Sequence, residues 1–332
     1  MDIMEKIYVR AAADPQKVAF PEATEEKILL ACRECADKGL IIPVLVGDPV
    51  EIKEAAAGFE IDLTGMEIVD ATDEAYLTEL VTAYFAQNSM LSQKNLMRRA
   101  KADHVFTALY MLAVDQVDAM FAGMSHTTGD IIAFGSLIIG LQEGLITPSS
   151  IGIAKIPGYQ GSEGDMIAFG DSAVCVNPSP AELASIAIAA CDTVKALMEW
   201  EPRVAMLSYS TDGSAESEMV NKVREALSIA KELQPDLKID GEFQLDSAID
   251  PAVAAKKVRR ESTVAGKANI LIWPDLNVGN IGVKLVQQFA HADAYGPLLQ
   301  GFKKIDCDCS RSAPVSELVG NIVMAAVRAQ TK

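Results

Sequence analysis

The residues best placed to do chemistry are Ser310 and Arg311, in the run DCDCSRS at the end of an apolar stretch. A hydroxyl beside a guanidinium can offer a hydrogen bond and a positive, planar fork to a phosphoryl or acyl oxygen. An ordinary loop whose Arg makes a surface ion pair fits the same residues equally well. Three further segments gather hydroxyls, amides and Gly where a strand gives way to a helix: SHTTGD (125–130), SYSTDGSA (208–215) and PDLNVGN (274–280). Free backbone N–H groups and the helix dipole favour an anion at such a place. For any one turn plain capping is the favoured explanation, because Ser, Thr, Asp and Asn are the usual N-caps. Three such turns in one chain point to a shared cleft.

Several familiar chemistries are missing. SYSTDGSA lacks the Gly-Lys-Ser/Thr ending of a phosphate-binding P-loop, and none of the three turns is a G-x-G-x-x-G dinucleotide turn. The nucleophile elbow G-x-S-x-G does not occur. His104, His126 and His291 are far apart and show no metal-ligand spacing; only His126, inside SHTTGD, stands in a suggestive place. Cys32 and Cys35 form C-x-x-C within the amphipathic KILLACRECADKG, where helix packing explains them, and no second Cys pair completes a zinc site. No metal is therefore expected. Cys307 and Cys309 flank Asp308 beside the Ser-Arg pair, so modification of either would inhibit, although neither reads as a nucleophile.

The elements that must position these residues alternate in type. A short strand at Val18-Ala-Phe precedes PEATEEKILLACRECADKG, a helix with Thr24 as N-cap and Gly39 as its stop. The β-branched IIPVLVG follows, then the helical VEIKEAAAG. Residues 72–112 read as mostly helical, and VDAMFAG (117–123) is a strand leading into SHTTGD. Hairpins are expected over 145–175, then a long helix starting near Ser179 or Pro180. Further strand–turn–helix units begin at RVAMLSYS and ANILIWPD. This order predicts an α/β fold of mostly parallel strands, with ligands at the strands' C-terminal ends.

Length and composition fit that reading. The 332 residues suggest two domains, and half are hydrophobic, ample for large cores. The 29 Lys and Arg against 46 Asp and Glu give a net charge of −17. So acidic a chain argues against nucleic acid and anionic membrane surfaces as partners, because phosphate recognition needs a basic surface. A few cations in one cleft can still bind a small anion. No apolar run reaches membrane-spanning length and no signal-type start is present, so a reduced cytoplasmic compartment is the expectation.

With these residues in view, the chain resembles the phosphate acetyl/butyryl transferase family, the phosphotransacetylases. The likeness is carried by VAFPEATEEKILLA and PVLVGDP, VDAMFAG with TTGD, AMLSYSTDGSA, DGEFQLDSA (240–248), the block ANILIWPDLNVGNIGVKLVQQFAHADAYGPLLQG and DCSR. It implies an enzyme that moves an acyl group, acetyl by default, between CoA and inorganic phosphate. Neither a metal nor a prosthetic group takes part, and CoA is a substrate. The CoA thiolate attacks acyl phosphate directly in a ternary complex. The resemblance further implies two α/β domains with an interdomain active-site cleft, here residues 1–148 with 297–332, and 149–296. It also implies a homodimer formed largely through the second domain.

Residue by residue, the resemblance assigns Ser310 to the acyl oxygen and Arg311 to the phosphoryl group. It places a carboxylate base at Glu317, where the family has Asp. It matches Thr127, Thr128 and Asp130 of the TTGD turn; Ser208, Ser210, Thr211 and Gly213; and Asp275, Asn277 and Asn280 as substrate-binding positions. Three family cations are neutral here: Ala133 stands three residues beyond Asp130, Gln87 opens QNSML in place of a basic stretch, and Gln288 replaces an Arg. Ser312 replaces the Gly after Ser-Arg. A charge-assisted hydrogen bond is worth roughly 1.5–3 kcal/mol, so losing two such contacts costs on the order of a hundredfold. Lys155, Lys284, Lys303 and Lys304 are the candidate replacements, without the bidentate fork. Two alternatives accompany the phosphotransacylase reading. One is a non-catalytic or altered-specificity relative that binds CoA or an acyl metabolite; the other is an acyltransferase or hydrolase using an uncharged acceptor.

Overall fold

The computed structural model describes residues 3–331. The chain divides into two compact units: one runs to Gly140 and resumes at Phe302, the other is Leu141–Gly301. The first unit begins with α1 (Ile3–Ala13), β1 (Gln16–Phe20), α2 (Glu26–Asp37), β2 (Ile41–Gly47), α3 (Pro49–Gly58) and β3 (Glu67–Asp70). Three helices follow, α4 (Glu74–Gln87), α5 (Gln93–Ala102) and α6 (His104–Ala113), then β4 (Ala119–Ala122) and α7 (Thr128–Ile138). The second unit holds β5 (Ser149–Lys155), β6 (Met166–Gly170), α8 (Pro180–Met198), β7 (Arg203–Leu207), α9 (Glu218–Leu233) and β8 (Lys238–Phe243). It continues with α10 (Leu245–Ile249), α11 (Pro251–Lys257), β9 (Ile270–Ile272), α12 (Leu276–Ala290) and β10 (Asp293–Gln300). The chain then returns to the first unit as β11 (Ile305–Asp308) and α13 (Val315–Ala329).

The molecule is an α/β protein with one wholly parallel sheet and one mostly parallel sheet. In the first unit the strand order is β11-β4-β1-β2-β3, and every pairing is parallel. From β1 the chain winds one way through β2 and β3, then crosses to the other side for β4 and β11. The reversal creates a crevice beyond the C-terminal ends of β1 and β4, where ligands gather in such sheets. In the second unit the order is β10-β5-β6-β9-β7-β8; β10–β5 and β5–β6 are antiparallel and the rest parallel.

Local chemistry explains the elements. The run IIPVLVG forms β2 at the bounds its β-branched residues predict. Ser179 caps α8 in a reciprocal capping box with Glu182, and Pro180 fills the first helical position. Helix α2 starts one residue later than its sequence suggests: Glu25, not Thr24, is its N-cap, without a side-chain cap bond. Its buried face includes Ile28, Leu29, Cys32 and Cys35, so the C-x-x-C pair is core packing. Burial pushes both thiols up, Cys35 to about 12. The apolar run after SHTTGD is helical only to Ile138. Among the described residues no helix is long and apolar enough to cross a membrane.

One backbone position ties β4 to β11. Gly123, just beyond β4, has φ +121°, and a Cβ there would lie 2.4 Å from Asp308 Oδ1 and 2.7 Å from the Cys309 carbonyl oxygen. Only Gly permits this approach. Gly123→Ala is expected to lower unfolding free energy by about 2–3 kcal/mol in a denaturant titration; a change within error would show that the two strand ends separate readily.

Candidate active site

In the first unit, the loops after β1, β4 and β11 emerge along the same sheet edge. The loop after β1 contributes Glu22, whose side chain is only 3% exposed. Its carboxylate accepts N–H bonds from four consecutive residues of the loop after β4: Gly123 (2.9 Å), Met124 (2.7 Å), Ser125 (2.9 Å) and His126 (3.1 Å). His126 Nδ1 also meets Glu22 Oε1 at 2.9 Å, while its Nε2 meets Asp103 Oδ2 at 2.9 Å. The switch-point crevice is thus filled by the chain's own anion.

Beyond that loop, Thr127 and Asp130 serve each other. Thr127 is the N-cap of α7, and its N–H and hydroxyl both donate to Asp130 Oδ2, at 3.0 and 2.6 Å. These bonds hold the Asp130 carboxyl below its usual range. Thr128, one residue on, turns its hydroxyl to Asp308 Oδ2 at 2.5 Å. Asp308 closes β11, and burial pushes its carboxyl up to about 6; the bonds from Thr128 and the nearby Cys309 N–H pull the other way, Glu22 adds to the rise, and Arg311 opposes it. The other oxygen, Oδ1, is buried without a hydrogen-bond partner. Asp306, two residues earlier, is raised further by full burial, and neither of its oxygens has a partner.

Ser310 and Arg311 follow directly, both exposed on the loop between β11 and α13. Ser310 Oγ lies 2.9 Å from Ser312 Oγ and receives the Ser312 N–H at 3.4 Å, so Ser312 takes part in shaping the loop. Lys27 of α2 reaches under it, donating to the Arg311 carbonyl at 3.2 Å and the Ala313 carbonyl at 3.0 Å. The Arg311 charge acts on both Asp130 and Asp308. Glu317 is exposed in the first turn of α13, and its charge reaches Cys309. Thr128, Asp130, Asp308, Ser310, Arg311 and Glu317 therefore form one neighbourhood. Cys307 and Cys309 are 2% and 6% exposed, and burial pushes the Cys309 thiol up, so the cysteines are not the ready modification targets expected from their position.

The second unit carries the other two turns, also beyond parallel strands. Ser210 and Thr211 are buried. Ser210 donates to Glu242 Oε1 at 2.7 Å, Gly213 N–H donates to the same oxygen at 3.0 Å, and Arg224 Nε meets Oε2 at 2.9 Å. Burial opposes the charge on Glu242, yet these bonds bring its carboxyl down to about 2. Thr211 Oγ1 receives the Gln244 N–H at 2.9 Å. This turn does not open a helix directly, because α9 is capped by Ser217. Asp275 is the N-cap of α12, accepting from Val278 N–H at 3.1 Å. Ser208 is half-buried; Asn277 and Asn280 are exposed, and Asn280 donates to the Ser172 carbonyl at 3.3 Å.

The candidate replacement cations are placed differently. Lys304 pairs with Asp115, at the opposite end of β11 from Ser310; the four-residue strand between them alone spans about 13 Å. Lys284 lines a cavity of about 230 Å³ in the second unit, with Ser172, Asn280 and Tyr295. Ala133, Gln87 and Gln288 are all exposed. Among the described residues no group of three or more His, Cys, Asp or Glu is arranged to hold a metal. Sequence reasoning passed over Glu22, Lys27 and Asp103. A signal for Glu22 was its place in PEAT directly after a buried strand; nothing marked the other two.

Comparison with known proteins adds an independent finding. The family model described as phosphate acetyl/butaryl transferase matches residues 2–326. Phosphate acetyltransferase of Clostridium acetobutylicum is 40% identical over 334 residues, covering 99% of each chain. That of Thermoanaerobacterium thermosaccharolyticum is 38% identical over 332 residues, covering 99% of this chain and all of the relative. A solved phosphotransacetylase from Streptococcus pyogenes superposes with a TM-score of 0.90 at 29% identity, over 99% of this chain and 98% of that one.

The raised Asp308 carboxyl has a consequence for stability. Its folded value, about 6, exceeds the ordinary 3.8, so the folded state holds the proton more tightly. The stability that Asp308 contributes therefore falls as pH rises from about 4 to about 6. Asp308→Asn is expected to make that slope shallower, by on the order of 1–3 kcal/mol across this window, in denaturant titrations, while the fully buried Asp306 keeps its own share. An unchanged slope would mean that another group carries it.

Proposed function

The chain belongs to the phosphate acetyl/butyryl transferase family, and from that premise we propose that it transfers an acetyl or other short acyl group between CoA and inorganic phosphate. The observation that carries this reading is the neighbourhood of exposed Ser310, Arg311 and Glu317 beside Thr128 and Asp308. Arg311 binds the phosphoryl oxygens with its planar fork. Ser310 donates its hydroxyl to the acyl oxygen, whose charge grows as the carbonyl becomes tetrahedral. Glu317 accepts the CoA thiol proton. The sulfur then bonds to the carbonyl carbon, the bond from that carbon to the phosphate oxygen breaks, and inorganic phosphate leaves with the electron pair. In the second unit, Ser208, Asn277 and Asn280 offer polar groups to substrate, while Ser210, Thr211, Gly213 and Asp275 hold the turns that present them.

The neutral residues Ala133, Gln87 and Gln288 favour a second reading within the same family: altered acyl or anion preference, or CoA binding without turnover. Purified protein given acetyl, propionyl and butyryl phosphate with CoA is expected to form thioester. Ser310→Ala is expected to lower kcat by about 10²–10³, and Arg311→Ala to weaken use of acyl phosphate at least tenfold. Calorimetric CoA binding with no turnover on any of the three would replace the catalytic reading with the binding one.

We also propose that the protein is a homodimer. Val278, Ile281, Leu285 and Phe289 lie three or four residues apart along α12 and are 41–82% exposed, whereas Gly279 is the helix's one buried residue. An apolar stripe of this kind calls for a cover, and the resemblance points to a second copy. Light scattering is expected to give twice the chain mass, and Ile281→Glu with Leu285→Glu to give a folded monomer. A monomeric wild type would refute the assignment.

A further inference from the structure

His126 poses a problem of proton inventory. Its two ring nitrogens each lie 2.9 Å from a carboxylate oxygen, Glu22 Oε1 and Asp103 Oδ2. An ionised carboxylate only accepts, so a neutral imidazole, with one N–H, leaves one of these contacts without a proton. Both carboxylates already serve as acceptors elsewhere. Glu22 accepts four backbone N–H bonds, and Asp103 caps α6 by accepting from Val105 N–H at 2.9 Å. With both carboxylates acting only as acceptors, the arrangement that satisfies every contact is an imidazolium between them.

The charged groups around the ring favour that state. Glu22 faces it from the loop after β1, Asp103 from the junction of α5 and α6, and Asp130 from α7. Glu25 binds the neighbouring Ser125 hydroxyl at 2.9 Å. The edge of Phe134 closes the α7 side, with ring centroids 6.1 Å apart. The Arg311 charge acts on Asp130 and Asp308. Burial opposes protonation of His126, but the hydrogen bonds and charges of Glu22 and Asp103 outweigh it, and the pKa is raised above the ordinary 6.5.

We propose that His126 is a positioning residue for acyl transfer: as an imidazolium bridging Glu22 and Asp103, it fixes the Gly123–Thr128 turn so that Thr128 engages Asp308 beside Ser310 and Arg311. The clamp joins the loop after β1, the start of α6 and the loop after β4. The turn it fixes meets the end of β11 through Gly123 and the Thr128 hydroxyl. His126 itself touches no reacting atom. A folded pKa above the unfolded value means that the clamp is complete below about 6.5 and is lost as pH rises through the folded pKa.

The catalytic half of this inference rests on the phosphotransacylase reading, so the test has a readout that needs no turnover. Ring ¹⁵N spectra, assigned with His104→Gln and His291→Gln, are expected to show both His126 nitrogens protonated at low pH and a titration midpoint above the ordinary 6.5. The amides of residues 123–126 should shift together when the proton leaves. A midpoint at or below about 6.5 would overturn the proposal, whether or not the protein is an enzyme. For activity, kcat/KM of wild type relative to His126→Gln cancels ionisation of the CoA thiol, which is common to both. That ratio is expected to be about ten at low pH and to approach one as pH rises through the His126 pKa. A ratio constant with pH would reduce His126 to a structural role and overturn its part in catalysis. Asp103→Asn, which keeps the imidazole, should move the ring titration and the fall in activity to lower pH; an unmoved titration would also overturn the proposal. If no acyl phosphate is turned over, the spectra decide the clamp and the failure belongs to the functional reading.

Discussion

The first unit is organised around a buried negative charge. Glu22 lies at the switch point of a parallel sheet, where such folds usually admit a ligand, and places its carboxylate against four backbone N–H groups and an imidazole. An isolated carboxylate in that position would be untenable. Each charge-assisted bond is worth roughly 1.5–3 kcal/mol, so the set offsets the cost of burial and makes the loop after β4 depend on one side chain. The crevice next to β1 is occupied from within. The exposed chemical groups stand one strand over, where β4 and β11 end: Thr128, Ser310 and Arg311.

In the TTGD turn capping accounts for two residues, and a contact to the next strand takes up the third. Thr127 and Asp130 satisfy each other at the start of α7, which fixes the direction of Thr128, whose hydroxyl is committed to Asp308. The second unit uses the same device with other residues. Glu242, held down to about 2 mainly by Arg224, organises Ser210 and Gly213. In both units an internal carboxylate shapes a turn of backbone donors, and the exposed residues beside it are what a substrate could meet.

What the sequence revealed follows from how local each feature is. β2 and α8 were readable because their signals lie inside the segments: a β-branched run, and Ser179-Pro180 with Glu182 three residues on. Thr24 misled because a good cap residue stood one position before the real start, and Glu25 caps without a side-chain bond. The pairing of β10 with β5 across the second unit had no local signature. The site shows the same division. Ser310 and Arg311 were visible as types in a loop. The contacts that organise their surroundings span 101 to 104 residues from Glu22 and 180 from Thr128 to Asp308, separations at which spacing carries no information. Lys27 was hidden for that reason, since it meets Arg311 and Ala313 across more than 280 positions.

The net charge of −17 gains meaning from this geometry. Lys27, the cation nearest the Ser-Arg loop by its bonds, faces backbone carbonyls, and Lys304 is paired away at the far end of β11. Arg311 therefore works among carboxylates: its charge is felt by Asp130 and Asp308, and Glu317 stands on the next helix. On the proposed phosphotransacylase reading, a dianionic substrate approaches Arg311 against those charges, and the charge of Asp308, with a carboxyl near 6, changes in an accessible range. Its protonation below that value removes one repulsive charge from the anion's path. The same drop in pH disfavours a thiolate on the other substrate. Anion binding and nucleophile formation thus pull the working pH in opposite directions. On that reading, the anion's hold on Arg311 depends on how the turn beside Asp308 is held.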